Sequence, residues 1–288
     1  IKNQSPPVGA ANIAAGKIDA HADFCPWSEI MEFRGTGRKI YDGSETGVSY
    51  LHGVVVRKDY ATKYPEVVVA FMKAIIDAGD WVRKNPVQAA TMLEKWTGVE
   101  KEVQYLYFSV GGVLTLDPTI KPKWIETLKF DHGVLAREKL APPLDLAKWI
   151  DDRFIREAYK AVGRDYDKDA KHIHDPKITV KKLPPAELWH AKKGIISYPG
   201  VAAMLAAAET FKKNGDLRAT YVYDNTTGIK IFGHVAFFVK AKNGVVTAFM
   251  RKPDAEKFIK ASGGTLVRFD DALKTAATKF AAPRIEVA

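Results

Sequence analysis

Residues 50–98, YLHGVVVRKDYATKYPEVVVAFMKAIIDAGDWVRKNPVQAATMLEKWTG, decide the fold because they join a strand pattern to two helix patterns. Tyr50 to Arg57 is a short apolar run rich in valine, which predicts a buried strand. After Pro65, apolar residues recur at helical spacing until Pro86 interrupts them and opens a second helix that ends at Gly98. A strand followed by two helices indicates a mixed α/β architecture.

The sequence before this stretch alternates between helix and strand signals. Residues 7–15 are compatible with a helix, and Lys17 to Phe24 alternates with a period of two, as a strand does. A helix over Pro26 to Phe33 and a second strand near Lys39 to Tyr41 follow. Together with the strand that starts at Tyr50, the order is β-α-β-β, which is typical of an α/β lobe.

The sequence after this stretch divides into a helical part, a polar segment and a third part. The predicted helices are 100–110, 118–140 and 151–162. Residues 164–183 are polar, mixed in charge and aperiodic, so we interpret them as a linker between domains 1–163 and 184–288.

Residues 184–288 predict a small α+β module. The predicted strands are 194–197, 218–223, 230–239, 245–250 and 265–269, and the predicted helices are 199–213, 253–261 and 270–279.

Composition and charge exclude several classes of protein. The 288 residues are 47% hydrophobic and 27% charged, which excludes a disordered or fibrous chain. No run approaches the ~18 apolar residues of a membrane span, so we expect none. The net charge is +10, and residues 184–288 hold 16 basic against nine acidic residues. Their lysines are scattered without base-stacking aromatics, which favours an acidic partner over nucleic acid.

The cysteine count bears on disulfide bonds, and the start of the chain bears on processing. Cys25 is the only cysteine, which excludes an internal disulfide. The chain opens Ile-Lys-Asn-Gln-Ser without Met or a signal pattern, so we expect a processed or truncated product whose export signal would lie upstream.

The motif order GKIDAHADFCPW (16–27), GRKIYDGS (37–44) and the stretch 50–98 resembles the solute-binding components of ABC importers for nitrate, sulfonates, taurine and pyrimidines. The resemblance spans roughly Gly16 to Val162. It implies part of a periplasmic-binding-protein type II fold with a helical cap, a small-molecule ligand, an ABC permease as partner and a periplasmic or extracytoplasmic location. In that family this stretch follows a first lobe, so we expect an incomplete binding cleft. An enzyme of the pyrimidine-synthesis branch of the same fold is the alternative.

The C-terminal motifs TYVYDNTTGIKI (220–231), HVAFFV (234–239) and FMRKPDAEKFIKASGGTLVRFDDAL (249–273) resemble the NosL-type accessory proteins of nitrous oxide reductase maturation. That resemblance implies copper handling. The Cys-Gly-Met copper motif of the family is absent, so copper remains a possible cofactor and a docking domain without a metal is the other interpretation.

The solute-binding resemblance places seven side chains near the cleft, and each has a structural alternative. Phe24 and Trp27 could belong to the core, Asp23 could cap the helix that follows, and Cys25 could be a small buried apolar group. His52, beside Gly53, could contact a ligand or pack. The candidate ligand-binding residues are His21, Asp23, Phe24, Cys25, Trp27, Tyr50 and His52.

Catalytic and metal motifs are weak in this sequence. We find no nucleophile elbow, P-loop, dinucleotide fingerprint or zinc-protease helix, so we expect no enzyme and assign no catalytic residue. His172 and His174, flanked by acidic residues, have the composition of a divalent-metal site or of a solvated linker. Soft or imidazole ligands in the C-terminal module are Met204, Met250, His190 and His234, and we expect Met204 to pack in the core.

Overall fold

The computed structural model describes residues 2–172 and 174–277 and shows a mixed helix and sheet protein. In chain order the helices before the first strand are α1 Pro6–Ala14, α2 Trp27–Phe33, α3 Lys58–Lys63, α4 Pro65–Lys84, α5 Pro86–Thr97, α6 Lys101–Phe108, α7 Pro122–Arg137, α8 Leu146–Trp149, α9 Arg153–Ala161, α10 Tyr166–Lys171 and α11 Pro176–Val180. The elements that follow are β1 Ala186–His190, β2 Gly194–Tyr198, α12 Val201–Lys213, β3 Leu217–Tyr223, β4 Lys230–Phe232, β5 Phe237–Lys240, β6 Val246–Phe249, α13 Lys252–Ser262, β7 Thr265–Val267 and α14 Phe269–Ala277.

The helices predicted from periodicity and from Pro and Gly signals are confirmed. Helix α4 carries Glu66 in its first turn and two basic residues in its last turn, where they offset the helix dipole. Helix α5 ends at Gly98, which has a φ of 72° and whose amide donates to the Glu94 carbonyl at 2.9 Å. This left-handed cap explains why glycine stands there. The predicted end of the last helix, at Lys279, lies outside the described residues.

Three predicted strands in the first half are wrong. The segments Lys17–Phe24, Lys39–Tyr41 and Tyr50–Arg57 form no strand ladder in the described structure. The prediction that Tyr50–Arg57 is buried is also wrong, because Tyr50 is 61% and Val55 is 74% exposed. A strand needs a neighbour that supplies hydrogen bonds, and these segments have no such neighbour in the described part of the chain. The type II binding-protein arrangement therefore stays a prediction.

One predicted strand of the C-terminal module is broken in two. Residues 230–239 form β4 and β5, separated by a 3-10 turn at Gly233–Val235. A Cβ atom on Gly233 would lie 2.5 Å from the Thr220 hydroxyl. The backbone therefore approaches β3 closely at this point, which only glycine permits. Strand β1 was not predicted.

The chain divides into two compact units. Among the described residues, the first contains residues 2–40, Asn85–Thr115 and residues 175–277; the second contains Tyr41–Lys84, residues 116–172 and His174. The polar segment 164–183 holds helices α10 and α11. The domain boundaries predicted from composition stay a prediction, since the units group residues by contact and not by their order in the sequence.

The first unit is built on a four-stranded antiparallel sheet in the order β2-β1-β3-β4. Neighbouring residues of a strand point to opposite faces, so Leu188 and Trp189 of β1 face two different cores. On the inner face, Leu188 packs with residues of α12, α14, β5 and β6, among them Met204 and Phe238. On the outer face, Trp189 packs with residues of α2, α5 and α6.

A second, three-stranded sheet in the first unit has the order β6-β5-β7 and is also antiparallel. Helix α13 covers it, and Val239, Phe249 and Ala255 form a small core between them.

The second unit is helical in its described regular elements, and its core joins α4, α9 and α10. Buried members of that core are Val69, Ile76, Ile155, Ala158, Tyr159 and Tyr166. No helix in the described part of the chain is long and apolar enough to span a membrane.

Candidate functional site

His21 and Asp23 form a partly buried pair. Nε2 of His21 lies 2.8 Å from Oδ2 of Asp23, and the two side chains are 11% and 4% exposed. Asp23 Oδ1 also accepts a hydrogen bond from the Phe24 amide at 2.8 Å. The pair thus fixes the backbone before helix α2. The two side chains contact each other, and Asp23 is also bound by the adjacent main chain.

The His21 ring lies directly against helix α1. A Cβ atom on Gly9 would be 2.2 Å from the His21 ring atoms Cε1 and Nε2. No side chain larger than hydrogen fits at position 9 unless the ring moves. Gly9 therefore serves a close approach between helix and imidazole, and it holds the His21–Asp23 pair in place.

The two aromatic candidates, Phe24 and Trp27, have different surroundings. Phe24 is 46% exposed, whereas Trp27 is partly buried and packs against the core of α2, α5 and α6. The alternative that Trp27 contributes to the core is therefore confirmed. Phe24 remains the more accessible aromatic group for a ligand.

Cys25 belongs to a buried polar group that the sequence did not predict. We call it the Lys39 cluster; its members are Cys25, Glu29, Glu32 and Lys39. Cys25 Sγ lies 3.9 Å from Glu29 Oε1, and the Lys39 ammonium donates to the same oxygen at 2.6 Å. The Lys39 amide donates to Glu32 Oε1 at 3.2 Å.

Burial and charge act in opposite directions within the Lys39 cluster. Burial lowers the pKa of Lys39, but the charges of Glu29 and Glu32 outweigh burial and hold that pKa above its usual range. Burial raises the pKa of Glu32, against the opposing charge of Lys39. Glu29 Oε2 is buried and has no hydrogen-bond partner within the described residues. The cluster thus carries two carboxylates for one ammonium.

The cluster could have been suspected from one sequence signal. Glu29 and Glu32 are three apart in the short helix α2, so they share a face, although that helix is otherwise mainly apolar. Two acids on one face of such a helix indicate a partner cation. The identity of that cation, Lys39, depends on the turn between the helix and residue 39 and could not be read from spacing.

Tyr50 and His52 belong to the second compact unit and contact each other. Their rings meet edge-on with centroids 4.9 Å apart. Both residues are exposed. The structure therefore brings His21 together with Asp23, Cys25 together with Glu29, and Tyr50 together with His52.

The side chains around His172 and His174 are engaged in other contacts. Asp167 accepts from Arg156 at 2.8 Å, Asp169 accepts from Arg164 at 2.6 Å, and Asp175 caps α11. Within the described residues, no group of three or more His, Cys, Asp or Glu side chains is arranged to hold a metal ion.

The candidate ligands of the C-terminal module are also engaged. Met204 is fully buried in the core, as predicted. His234 Nε2 lies 2.8 Å from the Glu32 carbonyl oxygen, which only accepts, so this nitrogen carries the hydrogen. Burial lowers the pKa of His234. His190 is buried, and its Nδ1 accepts from the Lys192 amide at 3.1 Å.

The first part of the chain is similar to known proteins. Residues 4–95 match the NMT1-like family. Over 90 residues, the chain is 39% identical to the taurine-binding periplasmic protein of Escherichia coli (strain K12), covering 30% of this chain and 27% of that protein. The chain thus spans about a quarter of the length of the curated relative that it matches. The solute-binding-protein resemblance predicted from the motifs is confirmed for this segment.

Among solved structures, the copper chaperone NosL from Shewanella denitrificans matches with a TM-score of 0.28 and 23% identity, over 30% of this chain and 75% of that chain.

Proposed function

We propose that this chain is part of an extracytoplasmic solute-binding component of an ABC importer for a small organic or oxyanion ligand, joined to a NosL-like accessory module. The observation that carries the proposal is the match of residues 4–95 to the NMT1-like family. All seven candidate ligand-binding residues lie inside that range. The similarity to a protein named for taurine binding favours a sulfonate or another small anion.

Binding, and not catalysis, is the activity that the candidate residues support. His21 and Asp23 are paired with each other at 2.8 Å, and Asp23 also accepts from the Phe24 amide, so both side chains position the segment before α2. The Cys25 thiol lies within hydrogen-bond reach of the Glu29 carboxylate, at 3.9 Å, inside the Lys39 cluster. The pyrimidine-synthesis alternative would need a group that reacts with the ligand.

The exposure of the aromatic candidates sets the strength of the proposed binding. Phe24 is 46% and Tyr50 is 61% exposed, so a ligand on either ring would stay partly in contact with solvent. High affinity needs a ligand that is buried over most of its surface. We therefore expect dissociation constants of about 1 mM, equivalent to about 4 kcal/mol of binding free energy.

Ligand-observed NMR suits binding of this strength. Taurine, a longer alkyl sulfonate, nitrate and an aminopyrimidine would each be added at about 10 mM, well above the expected dissociation constant. We expect saturation transfer to one of these classes, reduced in Phe24→Ala and unchanged in Trp96→Ala, whose ring is 72% exposed on α5. Transfer to none of the four would contradict the proposal, and conversion of any ligand to a product would favour the enzyme alternative. Micromolar affinity would contradict the expectation that these exposed aromatic residues bind a ligand weakly.

A further inference from the structure

Two parts of the sequence that carry different motifs share one buried core. Helices α2 and α6, which lie in the part of the sequence whose motifs resemble solute-binding proteins, pack on the outer face of the four-stranded sheet of the C-terminal module. The core residues from the helices are Ile30, Val103, Tyr105 and Leu106, and those from the sheet are Trp189, Ala219, Tyr221 and Phe232. All eight are at most 4% exposed. The two parts therefore share a continuous apolar core and not a surface contact.

Aromatic rings pack against each other at the centre of this core. The Tyr105 ring meets Trp189 edge-on, with centroids 5.7 Å apart, and lies 5.1 Å from the Tyr221 ring. The Phe33 and Phe232 rings are 5.6 Å apart. Buried aromatic residues of this kind supply most of the binding energy in protein interfaces.

A buried polar network crosses the same boundary. The Lys230 ammonium donates to Glu187 Oε2 at 2.9 Å and to Ser109 Oγ at 2.8 Å. The Tyr105 hydroxyl donates to Glu187 Oε1 at 3.1 Å. The ammonium also lies 4.6 Å from the centroid of the Tyr105 ring. Lys230 and Glu187 of the module thus form hydrogen bonds with a serine and a tyrosine from outside it.

Further hydrogen bonds surround this centre. Arg218 donates to Glu102 Oε1 at 2.9 Å, and the Tyr221 hydroxyl donates to the Glu102 carbonyl at 3.0 Å. At another point, His234 donates to the Glu32 carbonyl. These contacts fix the orientation of α6 and α2 on the sheet.

We propose that the outer face of the β2-β1-β3-β4 sheet is a docking surface for the α2 and α6 helices of the solute-binding segment, and that it holds them without a covalent link. An apolar centre with aromatic anchors and a surrounding set of hydrogen bonds is the anatomy of a stable protein interface. The C-terminal module is then a permanent partner of the solute-binding segment. It is not a freely tethered accessory domain.

Cleavage of the full chain tests this directly. A protease recognition sequence would be inserted between His174 and Asp175, where the chain passes from one compact unit to the other. We expect the two fragments to co-elute as one species at micromolar concentration after cleavage, and native mass spectrometry to find them in a 1:1 complex. Separation into two folded fragments, or their precipitation on cleavage, would overturn the proposal.

Variants of the interface sharpen the test. In the cleaved protein, Tyr105→Ala removes a central ring together with a hydrogen bond, and we expect the fragments to dissociate about 30-fold more readily. Trp96→Ala, which removes an exposed aromatic side chain from α5, is the matched control and should leave the complex unchanged. Circular dichroism of each uncleaved variant shows that it is folded. Equal effects of the two variants would contradict the assigned docking surface.

Discussion

The Lys230 ammonium and the Glu187 carboxylate lie 2.9 Å apart although their strands are not neighbours in the sheet. Lys230 in β4 stands opposite Tyr223, and Glu187 in β1 stands opposite Tyr221. The two side chains therefore reach each other across β3. They are 1% and 9% exposed, so each charge depends on the other for its compensation.

The first prediction concerns this pair. Lys230→Met leaves the Glu187 carboxylate buried without its counter-ion, and we expect a loss of about 3 to 5 kcal/mol in the free energy of unfolding. The double variant Lys230→Met with Glu187→Leu removes both charges and should recover most of that loss. Urea denaturation of the wild-type protein and the variants measures both effects. A double variant no more stable than Lys230→Met would show that the charge itself is not the cause.

The sequence predicted helices well and the interface poorly, for physical reasons. Helices α4 and α5 depend on local signals, since Pro65, Pro86 and Gly98 set their ends. The prediction of a strand at Tyr50–Arg57 was wrong because strand pairing depends on a neighbouring strand, which local residue spacing does not reveal.

The seven candidate ligand-binding residues were chosen from motif order, and the family match includes all of their positions. Their role in binding stays a prediction. The Lys39 cluster and the Lys230–Glu187 pair were missed, because 43 residues separate Glu187 from Lys230 and pairing at that distance follows from the fold.

The second prediction uses the close approach of Gly9 to His21. Gly9→Ala places a methyl group where the imidazole lies, so we expect a loss of about 1 to 3 kcal/mol in the free energy of unfolding, as for other overpacked sites. Gly133→Ala is the matched control, because Gly133 is an exposed glycine of α7 with open space around it. That change should stabilise by about 0.5 to 1 kcal/mol through helix propensity.

The imidazole itself can be tested as the cause of the loss. Adding His21→Ala to Gly9→Ala removes the ring that the new methyl group would meet. We expect the double variant to be more stable than the sum of the single effects indicates, as measured by urea denaturation. Strict additivity would contradict a direct contact between the two positions.

The third prediction concerns pH and His234. Because burial lowers the pKa of this histidine, the unfolded chain binds a proton below its ordinary pKa of 6.5 while the folded protein does not. Stability due to His234 is therefore lost as the pH falls from about 6.5 towards the lower folded pKa. His234→Gln has no such titration, and its melting temperature should fall less over that range than the wild-type value does. Parallel melting curves from pH 7 to pH 5 would contradict the assignment.

The fourth prediction concerns copper in the C-terminal module. Cu(I) prefers thiolate and thioether ligands, and residues 184–288 contain no cysteine. Met204 is fully buried in the core, and the Nε2 of His234 donates to the Glu32 carbonyl. Met250 is partly buried against the same core as Met204. A copper ion would have to break this packing before it could gain Met204 or Met250 as a ligand.

We therefore expect the purified full chain, incubated anaerobically with Cu(I) and then dialysed, to retain much less than one copper per chain by atomic absorption. Added Cu(I) should also leave the melting temperature unchanged, since a ligand that binds the folded state would raise it. Met250→Ala and His234→Ala are the decisive variants. Stoichiometric copper in the wild-type protein that is lost in either variant would establish a metal site in this module, and it would restore the copper role that the NosL-like motifs imply.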